Sequence, residues 1–454
     1  MQTHRRKPVI ASFVVVWLMV CLGCSGGSDS SAGSQPWHDP ARLDSALVVD
    51  WCALALKMTR ETAGYTPPVA ARAFGYLGVA LYEAVRPGMT GYRSLQGQIS
   101  GLAPDSLPVP APFRDHHWGI VANETLARIL FLLYPGASDE NLEALETLRE
   151  RYRNAFSPGV DGDVIDRSLS FGTAMADAVY AYAVTDGQEF AHLDNFPADY
   201  VPPEGDGLWV PTPPSYQRAM QPYWGQVRPF LEINRTHGTP PPPMPFSADE
   251  GSAFYAQAME VYQVSVNLTE EQTVIALFWS DDPGTTSTPP GHSLSILIQV
   301  LEEEDASLGL AAEACAKIGM ALHDAFVCCW RTKFTYNLVR PITYIRERID
   351  PAFTPVVTTP PFPEYTSGHS VQSGAAAEIL TDLFGDGYAF DDRTHAGRTD
   401  IDGTPRHFDS FYAFADEAAI SRLYGGIHYR EAIEVGLDQG IQIGQNVLGL
   451  TFRE

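Results

Sequence analysis

Three short segments in the second half of the chain carry side chains suited to binding an oxyanion. The first runs from Lys333 to Pro341, and Lys333 and Arg340 are seven positions apart. Because this spacing is about two helical turns, we expect both cations on one face of a helix that Pro341 ends. Two adjacent cations can hold a tetrahedral anion, and arginine can do so with two parallel hydrogen bonds.

The second segment is Thr366-Ser367-Gly368-His369, directly before an apolar run at helical spacing. A small hydroxyl and a glycine at a helix N-terminus predict an anion cradle, because free backbone N–H groups and the helix dipole favour negative charge. His369 at this edge is suited to accept or donate a proton. On its own, the segment also fits an ordinary serine cap beside a passive histidine.

The third segment contains Ser421, Arg422, Gly425, Gly426 and His428. Arg422 adds a third cation, and His428 supplies a neutral nitrogen ligand or a nucleophile. The two glycines permit a close backbone approach. Alone, this pattern is typical of a helix break with a core histidine, but the three segments together point to one oxyanion site.

The order and spacing of these segments resemble the superfamily of vanadium-dependent haloperoxidases and type-2 phosphatidic acid phosphatases. Its pattern is Lys-x6-Arg-Pro, then Pro-Ser-Gly-His, then Ser-Arg-x3-Gly-x-His-x3-Asp. The matching positions are Lys333, Arg340, Pro341, Ser367, Gly368, His369, Ser421, Arg422, Gly426 and His428. The haloperoxidase branch is the more similar one, because residues 278–281, 288–290 and 406–410 and Trp330 also resemble it. Residues 50–55 and 67–72 resemble it more weakly.

Two positions depart from the family pattern. Thr366 replaces the proline before Ser367, and Ala432 replaces the aspartate that steadies the second histidine. Glu431 lies three residues after His428, so we expect its carboxylate to hold the His428 ring, with Glu434 a poorer candidate.

The resemblance to haloperoxidases implies a vanadate cofactor and a role for each matched residue. His428 would bind vanadium, and His369 would take a proton from hydrogen peroxide before oxygen transfer converts a halide to hypohalous acid. The implied oxyanion-binding residues are Lys333, Arg340, Ser367, Gly368 and Arg422. Asp281, or its neighbour Asp282, would pair with His369, and Trp330 and Phe362 would line the halide side, although both aromatics also fit an ordinary core.

Two other functions remain open at this point. In a phosphatase, His428 would attack phosphorus to form a phosphohistidine, His369 would protonate the leaving alcohol of a phosphate ester, and no metal would be needed. Alternatively, the protein could be an inactive phosphate-binding surface lipoprotein. The complete set of cations and histidines favours an enzyme, and the partners expected of the haloperoxidase are hydrogen peroxide and a halide or small organic acceptor.

Charge and the N-terminus limit the partners and the compartment. The 454 residues include 30 Lys+Arg and 55 Asp+Glu, for a net charge of -25, which argues against a nucleic-acid partner. Basic residues 4–7, the apolar run 8–22 and Leu22-Gly23-Cys24 resemble a bacterial lipoprotein signal with lipidation at Cys24. We therefore expect an exported protein, periplasmic or anchored in the outer membrane through lipid.

Apolar periodicity predicts an all-α fold of packed helical bundles, the type found in haloperoxidases and acid phosphatases. The predicted helices are 41–61, 67–85, 113–134, 139–156, 164–184, 247–263, 269–278, 308–330, 370–384, 410–424 and 429–447. Capping boxes at Ser247 and Thr269 mark two of the starts. The predicted divisions are a signal peptide (1–24), a linker (25–40), an N-terminal helical region (41–237), a Pro-rich connector (238–246) and a catalytic region (247–454).

Four cysteines follow the signal. Cys328 and Cys329 lie in an apolar helical run and are expected to be core thiols. A bridge from Cys52 to Cys315 or another cysteine stays open, because spacing alone cannot assign it.

Overall fold

Helices form almost all the regular structure of residues 36–454, the part of the chain described by the computed structural model. The α-helices are α1 (Ala46–Glu61), α2 (Pro67–Val85), α3 (Trp118–Leu133), α4 (Asp139–Phe156), α5 (Gly162–Val184), α6 (Asn234–His237), α7 (Ala253–Val266), α8 (Glu270–Phe278), α9 (Thr288–Glu303), α10 (Leu308–Tyr336), α11 (Pro341–Arg348), α12 (Gly368–Phe384), α13 (Phe411–Tyr424) and α14 (Arg430–Leu448). Single 3-10 turns occur at Pro36–His38, Pro40–Arg42, Arg86–Gly88, Ala191–Leu193 and Trp224–Gln226.

The predicted all-α class is confirmed. Within residues 36–454, the only sheet is an antiparallel pair of three-residue strands, β1 (Phe390–Asp392) and β2 (Arg406–Phe408), with Phe390 opposite Phe408. None of the helices in this range combines the length and apolarity needed to cross a bilayer. The predicted signal peptide with Cys24, and most of the predicted linker, lie outside the described residues.

Most predicted helices have the expected position, but three differences matter. Helices α9 and α11 were not predicted. The Ser247 capping box is wrong, because α7 begins at Ala253 and the hydroxyl of Ser252 accepts the capping hydrogen bond from the Tyr255 N–H. The Thr269 capping box is confirmed at the start of α8.

Helices α2 and α10 pack against each other over much of their length and are buried on almost every face. Small residues permit this close approach: Gly78 of α2 faces the carbonyl of Cys315, and Gly319 of α10 faces the carbonyl of Phe74. One hydrophobic core contains residues from both sides of the 238–246 segment. The division of the chain at that segment stays a prediction.

The four cysteines of the described chain are buried free thiols. The Sγ atoms of Cys52 and Cys315 are 3.9 Å apart, which is a van der Waals contact and not a bond. Cys328 and Cys329 lie in the core, as expected.

Candidate active site

The oxyanion site begins where α10 ends. Lys333 lies in the last turn of α10, and Asn337 ends the helix in a left-handed conformation with φ 47°. Three residues later, Arg340 caps α11 and Pro341 is its first residue, a position that suits proline because it needs no N–H donor there. The prediction of one continuous helical face that ends at Pro341 is therefore wrong: Pro341 starts a helix, and the two cations come from different elements.

The Lys333 ammonium is buried and points beneath the segment before α12. Its Nζ donates hydrogen bonds to the carbonyls of Pro363 and Glu364 at 3.0 Å and of Thr366 at 2.5 Å. Burial lowers the pKa of Lys333 to about 7. An anion close to this ammonium would favour its charged form.

The Arg340 side chain lies between Phe362 and His428. Its Nε donates to the Phe362 carbonyl at 2.8 Å, and Nη1 donates to the Ile427 carbonyl at 2.9 Å and lies 3.1 Å from Nε2 of His428. The Nη2 atom is buried and has no partner among the described residues. Burial lowers the pKa of Arg340 to about 10.

The N-terminus of α12 supplies the predicted cradle. Ser367 is its N-cap, and the Ser370 N–H donates to the Ser367 hydroxyl at 3.4 Å. Gly368 and His369 are the first two helical residues, and Nε2 of His369 is buried without a partner in the described chain. Burial and then the nearby charge of Arg422 hold the pKa of His369 well below its usual range.

Arg422 reaches the site from the last turn of α13. Its Nε donates to the Ser421 hydroxyl and its Nη2 to the Ala276 carbonyl, both at 3.0 Å. The side chain is fully buried, and burial lowers its pKa to about 10. Three cations in the protein interior are costly without compensating negative charge.

Glu364, and not Glu431, holds the His428 ring. Nδ1 of His428 lies 2.9 Å from Oε1 of Glu364, which also accepts the Tyr429 N–H at 2.9 Å. Glu431 instead accepts the Met244 N–H, so the expected contact with His428 is wrong. If Nδ1 of His428 donates its hydrogen to the carboxylate, the lone pair of the ring lies on Nε2, the nitrogen that faces Arg340.

Burial raises the pKa of Glu364 to about 7 and holds that of His428 well below its usual range, with Arg340 as the next cause for His428. The carboxylate comes from the segment that also contains Ser367, 64 positions before His428. An acidic residue just ahead of Ser367 was visible in the sequence, but nothing in its spacing linked it to His428.

Asp281 does not pair with His369. Its Oδ2 lies 2.8 Å from Nδ1 of His292, and its Oδ1 lies 3.3 Å from Nε2 of His395. On its other side, the His292 ring contacts Asp392, with Nε2 to Oδ2 at 2.7 Å. No hydrogen bond joins His369 to Asp281 in the described structure, so the expected pair is wrong. Although burial alone would lower the pKa of His292, the carboxylates of Asp281 and Asp392 raise it to about 10.

One cavity unites most of the predicted site residues. Its walls include Asp281, Asp282, Trp330, Phe362, Gly368, His369, Arg422 and His428. Lys333, Arg340 and Ser367 lie behind this wall: Lys333 is next to the Phe362 ring, Arg340 contacts His428, and Ser367 precedes Gly368. The rings of Trp330 and Phe362 are 4.8 Å apart, and the Phe362 ring also covers the charged groups of Lys333 and Arg340 at about 5 Å.

The donor set fits a tetrahedral oxyanion such as vanadate. Nη2 of Arg340 is a buried donor without a partner in the described chain, and an oxyanion could accept a hydrogen bond from it, while the unpartnered Nε2 of His369 lies at the same cavity. The three cations have pKa values lowered by burial, which an anion would reverse. The fold and the site thus define a class of protein: an all-helical protein with an enclosed, cationic oxyanion pocket that contains two histidines.

Comparison with known proteins identifies the family. The family model described as "VCPO second helical-bundle domain" matches residues 313–453. The crystal structure of the first bacterial vanadium-dependent iodoperoxidase superimposes with a TM-score of 0.81 at 35% identity, covering 91% of this chain and 98% of that one. The vanadium chloroperoxidase of Curvularia inaequalis is 23% identical over 491 residues, covering 86% of this chain and 80% of that protein.

A holo-type bacterial vanadium-dependent chloroperoxidase shares the fold, with a TM-score of 0.64 at 17% identity over 85% of this chain and 94% of that one. This chain belongs to the vanadium-dependent haloperoxidase family, and it is an enzyme of the peroxidase type.

Proposed function

We propose that this enzyme uses bound vanadate and hydrogen peroxide to oxidise iodide to hypoiodous acid, and that bromide is a poorer substrate. The reaction balances as peroxide, iodide and one proton giving hypoiodous acid and water. The arrangement of His428 carries the proposal: Glu364 fixes Nδ1, and Nε2 faces Arg340 in a buried cationic pocket. The iodide preference rests on the relative at 35% identity, which is an iodoperoxidase.

In this proposal, the protein holds the cofactor by charge and by one nitrogen ligand. Nε2 of His428 would bind vanadium, while Lys333, Arg340 and Arg422 balance the negative oxygen atoms, with the Ser367 hydroxyl and Gly368 N–H as further donors. These charges act more strongly in an enclosed cavity than in water. When bound, vanadate supplies a Lewis acid that activates peroxide for oxygen transfer.

His369 would accept the peroxide proton. Burial keeps its imidazole neutral at physiological pH, so Nε2 can carry a lone pair toward the cavity. The positive charge of Arg422 destabilises the protonated form of His369. His369 would therefore release the proton again, and the proton would end in the water that the reaction produces. Trp330 and Phe362 would form the halide side, where apolar aromatic walls suit a large, weakly hydrated anion such as iodide.

The proposal is tested with metal-free protein reloaded with vanadate, by measuring iodide oxidation and bromination of a diketone. We expect His428→Ala to lose vanadate binding and activity. We expect His369→Ala to keep much of its vanadate but to lose about 100-fold or more in turnover, the usual contribution of a general base. The matched control is His407→Ala, which removes an exposed histidine paired with Asp391.

Wild-type rates in both active-site variants would overturn the site assignment. Faster turnover of chloride or bromide than of iodide would overturn the halide preference. Hydrolysis of an aryl phosphate that vanadate inhibits, without any halide oxidation, would favour the phosphatase alternative.

A further inference from the structure

A second cluster of buried ligand-type side chains lies beside the oxyanion cavity. Asp281 follows α8, His292 lies near the start of α9, and His395 follows β1. All three side chains are buried, and one ligand atom from each lies within 4.8 Å of the others. Side chains from three separate segments of the chain thus lie close together.

Hydrogen bonding among these residues leaves two polar atoms without a well-aligned hydrogen bond. His292 can donate from Nδ1 to Oδ2 of Asp281 and from Nε2 to Oδ2 of Asp392. Oδ1 of Asp281 and Nε2 of His395 are both buried and face each other at 3.3 Å, an ion-pair distance, but neither makes a well-aligned hydrogen bond in the described structure. Buried groups of this kind are costly unless something binds them.

The 3.3 Å that separates Oδ1 of Asp281 from Nε2 of His395 is also the separation of two donors bound to one metal ion. Zinc bonds to nitrogen and oxygen of about 2.0–2.2 Å in tetrahedral geometry place neighbouring donors at about 3.3–3.5 Å. Nδ1 of His292 supplies a third donor when the metal displaces its proton to solvent, and its Nε2 keeps the hydrogen bond to Asp392, as metal-binding histidines commonly do with a carboxylate.

We propose that Asp281, His292 and His395 form a structural site for a divalent first-row metal ion such as zinc, behind the wall of the vanadate pocket to which Asp281 belongs. One carboxylate oxygen and two imidazole nitrogens are a donor set that such ions favour. The ion would take over from the His292 proton in balancing the buried carboxylates of Asp281 and Asp392. Trp279 stacks on His292 at 4.4 Å and Phe278 packs on His395 at 4.9 Å, which keeps water away from the centre.

Such an ion would tie the loop after α8 to the loop after β1. Asp281 is also part of the cavity wall beside His369. The metal would therefore hold this wall in place without touching the halide or peroxide. This role uses Asp281 in place of the direct contact with His369 that the sequence suggested.

The test measures metal content and needs neither vanadate nor turnover. Full-length protein is stripped with chelator, loaded with Zn²⁺, desalted and analysed by mass spectrometry. We expect about one zinc per chain in the wild type and in His428→Ala, and below about 0.1 in His395→Ala. His407→Ala, on the neighbouring hairpin, is the control and should keep the full zinc content.

Cobalt loading supplies a second readout that does not depend on how the variants fold. We expect visible absorption bands of a low-coordinate Co²⁺ centre in the wild type, and displacement of these bands by zinc. A wild type that holds less than about 0.1 equivalent of either ion would overturn the proposal, as would a folded His395→Ala protein with full zinc content. Because His428→Ala should lose vanadate but keep zinc, failure of one proposal is distinguishable from failure of the other.

Discussion

His428 has two different neighbours on its two ring nitrogens. Glu364 accepts from Nδ1 at 2.9 Å, and Nη1 of Arg340 lies 3.1 Å from Nε2. The carboxylate fixes the tautomer and the direction of the ring, and so determines which nitrogen can bind a metal. One hydrogen bond thus determines which nitrogen of His428 would bind vanadium.

Glu364→Gln should therefore weaken vanadate binding about 10- to 100-fold, because a neutral amide makes the His428 ring a weaker ligand than a carboxylate does. The glutamine oxygen can still accept from Tyr429, so the fold should survive. Vanadate affinity is measured by titration followed by recovery of iodide oxidation.

The control for this substitution is Glu431→Gln, at the position that the sequence pattern favoured. Its carboxylate contacts the Met244 N–H and not His428, so vanadate affinity should stay within about twofold of the wild type. Equal losses in the two variants would contradict the assignment of Glu364.

Residue types and spacing were sufficient to select the three cations and the two histidines of the site. They were not sufficient to select Glu364, His292, His395 or Asp392. The first group forms short motifs that keep a fixed local geometry. The second group consists of partners from distant segments, and only packing brings these together.

The break between α10 and α11 is the element-scale feature on which the site depends. Asn337 has φ 47° and ψ 39°, and its N–H donates to the Lys333 carbonyl at 2.8 Å. The chain can then turn so that Arg340 reaches His428 while Lys333 stays beneath Thr366. Helical periodicity across this segment is misleading, because local spacing cannot show that the helix ends before Pro341.

Asn337→Val should be less stable than Asn337→Gly by about 1–3 kcal/mol, since a β-branched residue is strained in a left-handed conformation and glycine is not. Both substitutions remove the same side-chain bonds to Phe334 and Tyr200, so their difference isolates the backbone effect. Urea unfolding measures the difference in free energy of unfolding between the two variants. Equal stability of the two variants would show that this conformation does not constrain the junction.

At the scale of the whole molecule, the contact between α2 and α10 joins the first part of the chain to the helix that carries Trp330 and Lys333. At Gly78, an added Cβ would lie 2.2 Å from the carbonyl oxygen of Cys315. The nearest atoms all belong to the backbone of α10, so no flexible side chain can move aside. The position of α10 therefore depends on the absence of a side chain at this point.

Gly78→Ala should lower the free energy of unfolding by at least about 1–3 kcal/mol, the usual cost of overpacking. It should also weaken vanadate binding, because Lys333 is displaced together with α10. Thermal unfolding and vanadate titration measure the two effects.

The matched control is Gly162→Ala at the start of α5, where an added Cβ meets nothing within 4 Å. Its stability should change by less than about 1 kcal/mol, and vanadate affinity should be unaffected. A Gly78→Ala protein as stable as this control would show that the interface can widen without cost.

The sequence by itself determined the helical class, most helix positions and the five charged or imidazole groups of the oxyanion site. The helices follow from apolar periodicity, and the five groups follow from three recognisable motifs, although helical spacing gave the wrong geometry for Lys333 and Arg340. The tertiary structure decided that Glu364 holds His428, that Asp281 turns to His292 and His395, and that α10 ends at Tyr336. Contacts between separate elements, such as that of Glu364 with His428 64 positions later, depend on how helices pack, and a linear pattern does not contain that information.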